Sequence, residues 1–308
     1  DLTLVIAFFY SFLFLIKDFL IPFSPIASGL SGNQIPILFN FTNSSFILLL
    51  FISYMLFKNG LSKNFSFFKF FVIGISLAYI LLIFNSRLSY LQILSLFFIS
   101  IFLGKNYYLQ FYFLLLIAFL FIQLNTLFDI NFVGRHHIAY STDLIFEHFI
   151  TIFGIDSSIL SGQAEGLFQR IHWWQNIFIK LTSSLTNLLF GLGYGEPLID
   201  FIIKGDVIVR EPHNSFISIL ARGGIISFLL WIIFHIFLIK SWIITYRTYK
   251  DIDKNTQVNL LVVLSYFIFM WIGALGSDVF EKPFYAAPYY FFWGYVLRLY
   301  FNKKNRNI

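Results

Sequence analysis

Apolar blocks of about twenty residues, repeated along the chain, constrain this sequence more than any other feature. A helix that crosses a bilayer needs about 20 mostly apolar residues. Blocks of that kind fall at roughly 2–22, 36–57, 66–84, 88–104, 107–124, 215–243, 258–279 and 284–301. Charged residues make up only 12% of the 308 residues, and hydrophobic ones 58%. A water-soluble domain carries about 25% charged residues, so the sequence alone predicts an all-α, polytopic membrane fold of about eight transmembrane helices.

The lysines and arginines give this expectation an orientation. Lys58, Lys63 and Lys69, then Lys105, then Lys240, Arg247, Lys250 and Lys254, and finally Lys303, Lys304 and Arg306 lie on one side of an eight-helix arrangement. That side is expected to be the cytoplasm. Residues 1–308 then form a single integral membrane domain, and the start at Asp1 suggests truncation at the N-terminus, with helices missing upstream. Segment 125–214 becomes one large extracytoplasmic loop, too long for a passive connector. Within it, Ile171, Trp174, Ile177, Phe178, Leu181, Leu185, Leu188 and Leu189 recur at helical spacing. They predict an amphipathic helix at the membrane surface, ended by Gly191.

Several chemistries drop out early. There is no cysteine, so no disulfide framework, thiolate metal site or thiol nucleophile. The basic residues are scattered through short loops, which gives no case for nucleic acid. "GLGYG" (191–195) has neither the strand before it nor the Lys-Ser/Thr after it that a nucleotide loop needs. "DID" (251–253) reads as solvated charge, and "RHH" (135–137) lacks the i, i+4 partner of a helical zinc site.

What remains is a polar knot in front of an apolar run: "REPHNSFISILARGG" (210–224). Pro212 and Asn214–Ser215 mark a helix start. Backbone N–H groups there are expected to favour an anion and to leave His213 able to accept a proton. Arg87, Arg135, Arg170 and Arg210 all fall on the outer side, against the general bias, and arginine suits bidentate phosphate contacts.

Three blocks resemble a known family. "FNSRLSYL" (84–91) is similar to a Ser-Arg motif, "RIHWW" (170–174) with "NLLFGLGYG" (187–195) to an Arg-Trp and Leu-Phe-Gly block, and "HNSFISILARGGIIS" (213–227) to a His-Asn block. In this order, over about residues 60–280, they resemble the O-antigen ligase and polymerase superfamily of bacterial envelope glycosyltransferases. Arg222 and Ser227 depart from its pattern. The resemblance implies a GT-C-like fold in the cytoplasmic (inner) membrane with its site facing the periplasm. It implies metal-independent, inverting transfer of a glycan from undecaprenyl diphosphate, without a cofactor. The acceptor is lipid A-core for a ligase, the reading favoured by the well-formed His-Asn block, or another lipid-linked glycan for a polymerase. A transporter of lipid-linked glycans, the third alternative, should place charge deep in several helices, and few such residues are present. His213 matches the family's base, and Arg87 and Arg170 its diphosphate-contacting arginines. Arg210, Asn214 and Trp174 complete the expected substrate-binding set.

Overall fold

A computed structural model describes residues 2–28, 34–36, 44–61, 67–81, 86–103, 105–127, 163–194, 197–199, 201–203, 207–209 and 211–306, together with 147 and 150. The chain divides into two units, Asp1–Ala164 and Glu165–Ile308, and each is described by itself.

The first unit is built from short helices. α1 (Leu2–Phe12) gives way to a 3₁₀ turn at Leu13–Ile16, then α2 (Lys17–Leu20), then a second 3₁₀ turn at Ile21–Phe23 that contains Pro22. β1 (Ile26–Ser28) pairs antiparallel with β2 (Gln34–Pro36). α3 (Ser44–Leu61), α4 (Phe67–Tyr79), α5 (Arg87–Leu103) and α6 (Lys105–Leu127) follow. Leu48, Leu49, Ile52 and Leu56 on α3, Ile73 and Leu77 on α4, and Phe111 and Leu114 on α6 are fully buried. α4 and α6 approach closely at Gly74, where a Cβ would lie 2.4 Å from Ile117. The Tyr79 hydroxyl donates to the Ser11 carbonyl at 3.1 Å. That carbonyl belongs to the last turn of α1, where helices leave acceptors unpaired.

In the second unit, α7 (Gln163–Thr182) breaks at Ser183–Ser184, and α8 (Leu185–Phe190) restarts with the Ser184 hydroxyl accepting from Asn187 N–H. The hairpin β3 (Phe201–Ile203) and β4 (Val207–Val209) leads towards three long helices: α9 (Ser215–Tyr249), α10 (Lys254–Ala274) and α11 (Pro283–Arg306). α9 packs against α8, α10 and α11, and α10 against α11. Leu260, Leu261, Phe269 and Met270 of α10 are fully buried, as are Tyr289 and Val296 of α11. Asp253 caps α10 by accepting from Asn255 N–H.

A backbone splice joins α8 to α9. At Gly224 the helix takes φ 69° and ψ −177° and kinks. The kink frees the carbonyls of Ala221 and Arg222 from their own helix. Leu192 N–H and Gly193 N–H donate to them at 2.7 and 3.1 Å. Gly191, at φ 84°, ends α8 beside the kink. A Cβ on Gly191 would lie 2.4 Å from Arg222 O, and one on Gly224 2.3 Å from Leu189 O. Glycine is required at both places, for its positive φ and for the absent side chain. The "GLG" and "RGG" of the sequence thus meet as two halves of one joint.

This architecture corrects the eight-span expectation. Among the described residues only α9 and α10 are long and apolar enough to cross a membrane. The expected span 2–22 is cut by its 3₁₀ turns, leaving α1 with 11 residues, which at 1.5 Å per residue covers about half of a 30 Å hydrocarbon layer. α4 has 13 residues and α5 17. α11 contains Pro288 and closes on Lys303, Lys304 and Arg306. An apolar run records composition, whereas a span needs an unbroken hydrogen-bonded length, which the runs of α1, α4 and α5 do not supply. The multi-pass inner-membrane location falls with the spans, and so does the sidedness inferred from the basic loops. The O-antigen ligase reading, its polymerase alternative and the transporter all require a multi-span scaffold, and they fall for the same reason. The amphipathic helix expected over about 171–189 is present as α7 and α8, broken at Ser183. Of its apolar stripe, Ile177 and Leu181 are buried, whereas Ile171, Phe178 and Leu185 are exposed.

Candidate functional site

The mouth of α9 collects most of the second unit's buried charge. Asn214 is the N-cap: its side-chain oxygen accepts from Phe216 N–H at 3.0 Å and Ile217 N–H at 3.2 Å, the pairing that starts most helices. Its amide donates to Leu275 O at 3.3 Å. The Ser215 hydroxyl donates to Ser277 O at 3.1 Å and accepts from Phe280 N–H at 3.2 Å. Three bonds from "NS" therefore hold the α10–α11 turn against the start of α9, and that turn brings in Asp278 and Glu281.

His213 precedes the cap in a left-handed conformation, φ 54°, one that residues other than glycine seldom adopt and that clusters at functional positions. The strain is held from both sides. On one side the Trp174 indole N–H donates to Pro212 O at 3.0 Å. On the other the Asn214 cap fixes the helix. The imidazole lies between Trp173, with ring centroids 6.3 Å apart, and Asp278, whose Oδ2 is 3.6 Å from Nδ1. That separation is an ion-pair contact, longer than a hydrogen bond. The Asp278 side chain is 5% exposed and that of His213 40%, so the carboxylate is inside and the ring faces out.

Behind His213 the cluster deepens. The Ser218 hydroxyl, one turn into α9, is within 3.4 Å of Asp278 Oδ1 and 3.5 Å of Glu211 Oε2. Arg222, a turn further, donates to Glu211 Oε1 at 2.6 Å and to Gly193 O at 2.8 Å. Its guanidinium lies over the Tyr194 ring at 5.5 Å. The arginine that departs from the family pattern is thus a strut between Glu211 and the splice. Arg170, on the α7 face that carries Trp173, Trp174 and Ile177, is attracted by Asp278, while burial pulls its pKa down from the usual arginine value. Burial, the Asp278 carboxylate and the Glu211 carboxylate push Glu281 up from 4.5 to about 7, against smaller opposing effects of Ser218 and Arg222.

Of the sequence-predicted residues, His213, Asn214, Trp174 and Arg170 come together here. Asn214 and Trp174 do so as supports, the one a cap and the other a brace, with their polar side-chain atoms already bonded. Arg87 opens α5 in the first unit. Arg210, like Arg135, lies outside the described residues. The expected backbone anion site needs correction as well: Asn214 takes two of the first N–H groups of α9, and Asp278 and Glu211 face the mouth. Sequence reasoning missed Ser218 and Glu281, and it noted Arg222 only as a departure from the pattern it was compared with. The available signal was two carboxylates three residues apart, Asp278 and Glu281, in a short turn between apolar helices. No group of three or more His, Asp or Glu side chains among the described residues is arranged to hold a metal ion.

No protein-family model matches the chain, and neither a curated protein nor a solved structure matches it.

Proposed function

We propose that the chain is a metal-independent transferase that moves a glycosyl group from a diphosphate-activated donor to a hydroxyl, with His213 as general base. One observation carries this reading: a strained, outward-facing histidine is backed by the buried Asp278 carboxylate. A carboxylate behind Nδ1 favours the tautomer with the proton on that nitrogen and presents Nε2 as acceptor. It also stabilises the imidazolium that forms when the ring takes a proton. In the step proposed, the acceptor oxygen attacks the anomeric carbon as its proton passes to Nε2. The bond from that carbon to the diphosphate oxygen breaks, and the carbon inverts. Arg170 neutralises charge on the departing diphosphate, as a guanidinium does without a metal. The glycosyl diphosphate class comes from the sequence resemblance, and the base and its orienting carboxylate come from the site.

The test is release of diphosphate from a panel of short-chain polyprenyl diphosphate glycosides, in the presence of EDTA. Transfer is expected with wild-type protein. Asp278→Asn should cut turnover while leaving donor affinity nearly unchanged. Absence of transfer with every donor, or activity that needs added magnesium or manganese, would overturn the proposal.

A further inference from the structure

Two carboxyl groups converge on one serine hydroxyl at the mouth of α9, and a third lies in the same α10–α11 turn. Ser218 reaches Asp278 and Glu211 at 3.4 and 3.5 Å, and Glu281 follows one turn after Asp278, its N–H donating to the Asp278 carbonyl at 3.3 Å. One hydroxyl proton serves one carboxylate at a time. The positive groups around them are Arg222, bonded to Glu211, and Arg170, drawn to Asp278. Lys282, next in the turn, donates to the Ser277 hydroxyl at 3.1 Å. With every carboxyl ionised, Glu211, Asp278 and Glu281 set three negative charges against the two guanidinium groups. Carboxylates crowded in this way do not all ionise together near neutrality. Glu281 is the natural seat for the missing ionisation. Glu211 has its arginine and Asp278 faces His213, whereas Glu281 Oε1 is buried without a hydrogen-bond partner. A buried oxygen of that kind is costly as a charge and far less so as a neutral acid.

We propose that Glu281 is a proton store for the His213 site: its carboxyl keeps its proton up to near-neutral pH because Asp278 and Glu211 already hold negative charge beside it, and its ionisation weakens the binding of a diphosphate at Arg170. The diphosphate half rests on the function proposed above, and the proton half does not. With the proton in place the site balances two negative charges against two positive ones. Losing it leaves an extra negative charge where an anionic ligand must sit.

The two halves are tested separately on the full chain. The sequence holds five glutamates, so protein carrying ¹³C at the glutamate carboxyls gives a spectrum simple enough to follow against pH. One resonance should titrate near 7 and vanish in Glu281→Gln. Titration of the Glu281 resonance in the ordinary glutamate range would overturn the proposal, whatever binds. For the second half the probe is P1,P2-dimethyl diphosphate, whose charge is constant from pH 5.5 to 8.5, and quenching of tryptophan fluorescence is the readout. In a His213→Gln background, affinity should fall roughly fivefold to tenfold between pH 6 and 8. That dependence should disappear on adding Glu281→Gln. A pH dependence unchanged by Glu281→Gln would overturn the coupling. No binding at pH 6 would overturn the diphosphate reading of Arg170 and leave the proton assignment to the carboxyl spectrum.

Discussion

Two histidines, one just before α9 and one within it, stand in opposite settings. His213 stands at its mouth, with a strained backbone, a side chain 40% exposed and a carboxylate behind it. His235, in the middle of the helix, is 1% exposed. Its Nδ1 bonds Trp231 O at 2.8 Å, so Nδ1 carries the hydrogen, and Nε2 is buried without a partner. The rings of Trp231, Trp271, Phe280 and Tyr289 surround it at 4.0 to 6.0 Å between centroids. The mouth bonds its polar groups, Glu281 Oε1 excepted, and leaves one nitrogen towards solvent. The middle leaves a nitrogen unsatisfied and walls it in with aromatic rings. Burial and polarity alone would have pointed to His235. Access and an acid partner point to His213.

The sharpest way to break this comparison is to remove each imidazole. His213→Ala should lower glycosyl transfer by roughly a hundredfold to ten-thousandfold, the usual worth of a positioned base, with donor affinity nearly intact. Single-turnover rates and direct binding on the purified variant would show it, and a near-normal rate would make His213 only a helix-start residue. A second break lies between the two histidines, at the splice. Gly224→Ala must accommodate a Cβ 2.3 Å from Leu189 O at φ 69°. It should cost about 3 kcal/mol or more, as strained or overpacked positions do, and loosen the His213 mouth with it. Chemical denaturation would measure this, and unchanged stability would mean that the joint does not hold the site.

Smaller effects sharpen the contrast. His235→Phe should be neutral or stabilising by about 1 kcal/mol, because it removes an unsatisfied nitrogen and fits an aromatic surround. A large loss of stability there would show that Nε2 has a partner. Glu281→Gln should act mainly through pH. Its carboxyl, raised from 4.5 to about 7 in the folded chain, binds the proton more tightly folded than unfolded. Its contribution is therefore complete below 4.5, declines as pH rises to 7 and is lost above that. The variant should flatten the stability profile across that window, visible as melting temperatures that converge with wild type at acid pH and exceed it by a few degrees at pH 8.

The sequence made the site's local parts legible. Pro-His-Asn-Ser announced a helix start, and Gly191 announced a helix end. Both are set by neighbours in the chain, through cap hydrogen bonds and the sign of φ. Asp278 and Glu281 were not legible as site members, because more than sixty residues separate them from His213. Bonds from Asn214, Ser215 and Ser218 to the α10–α11 turn bring them in. The spans failed for a different reason. Hydropathy sees the apolar run at Leu2–Ile21 but not the 3₁₀ turns that shorten it. Nor does hydropathy tell a helix covered by its own fold from one that is uncovered. α10 is mostly buried, whereas α9 beyond Gly224 leaves Leu229, Leu230, Ile233 and Ile236 largely exposed.

The splice has a further consequence for how the second unit opens. Leu192 and Gly193 belong to no helix or strand, yet their amides are bonded to carbonyls of α9. Neither amide can exchange its hydrogen with solvent until α8 parts from the kink. In deuterium exchange, two loop amides should therefore share one protection factor with Ala221 and its neighbours. That shared rate makes the pair a clock for the integrity of the joint beside Arg222, readable without any substrate.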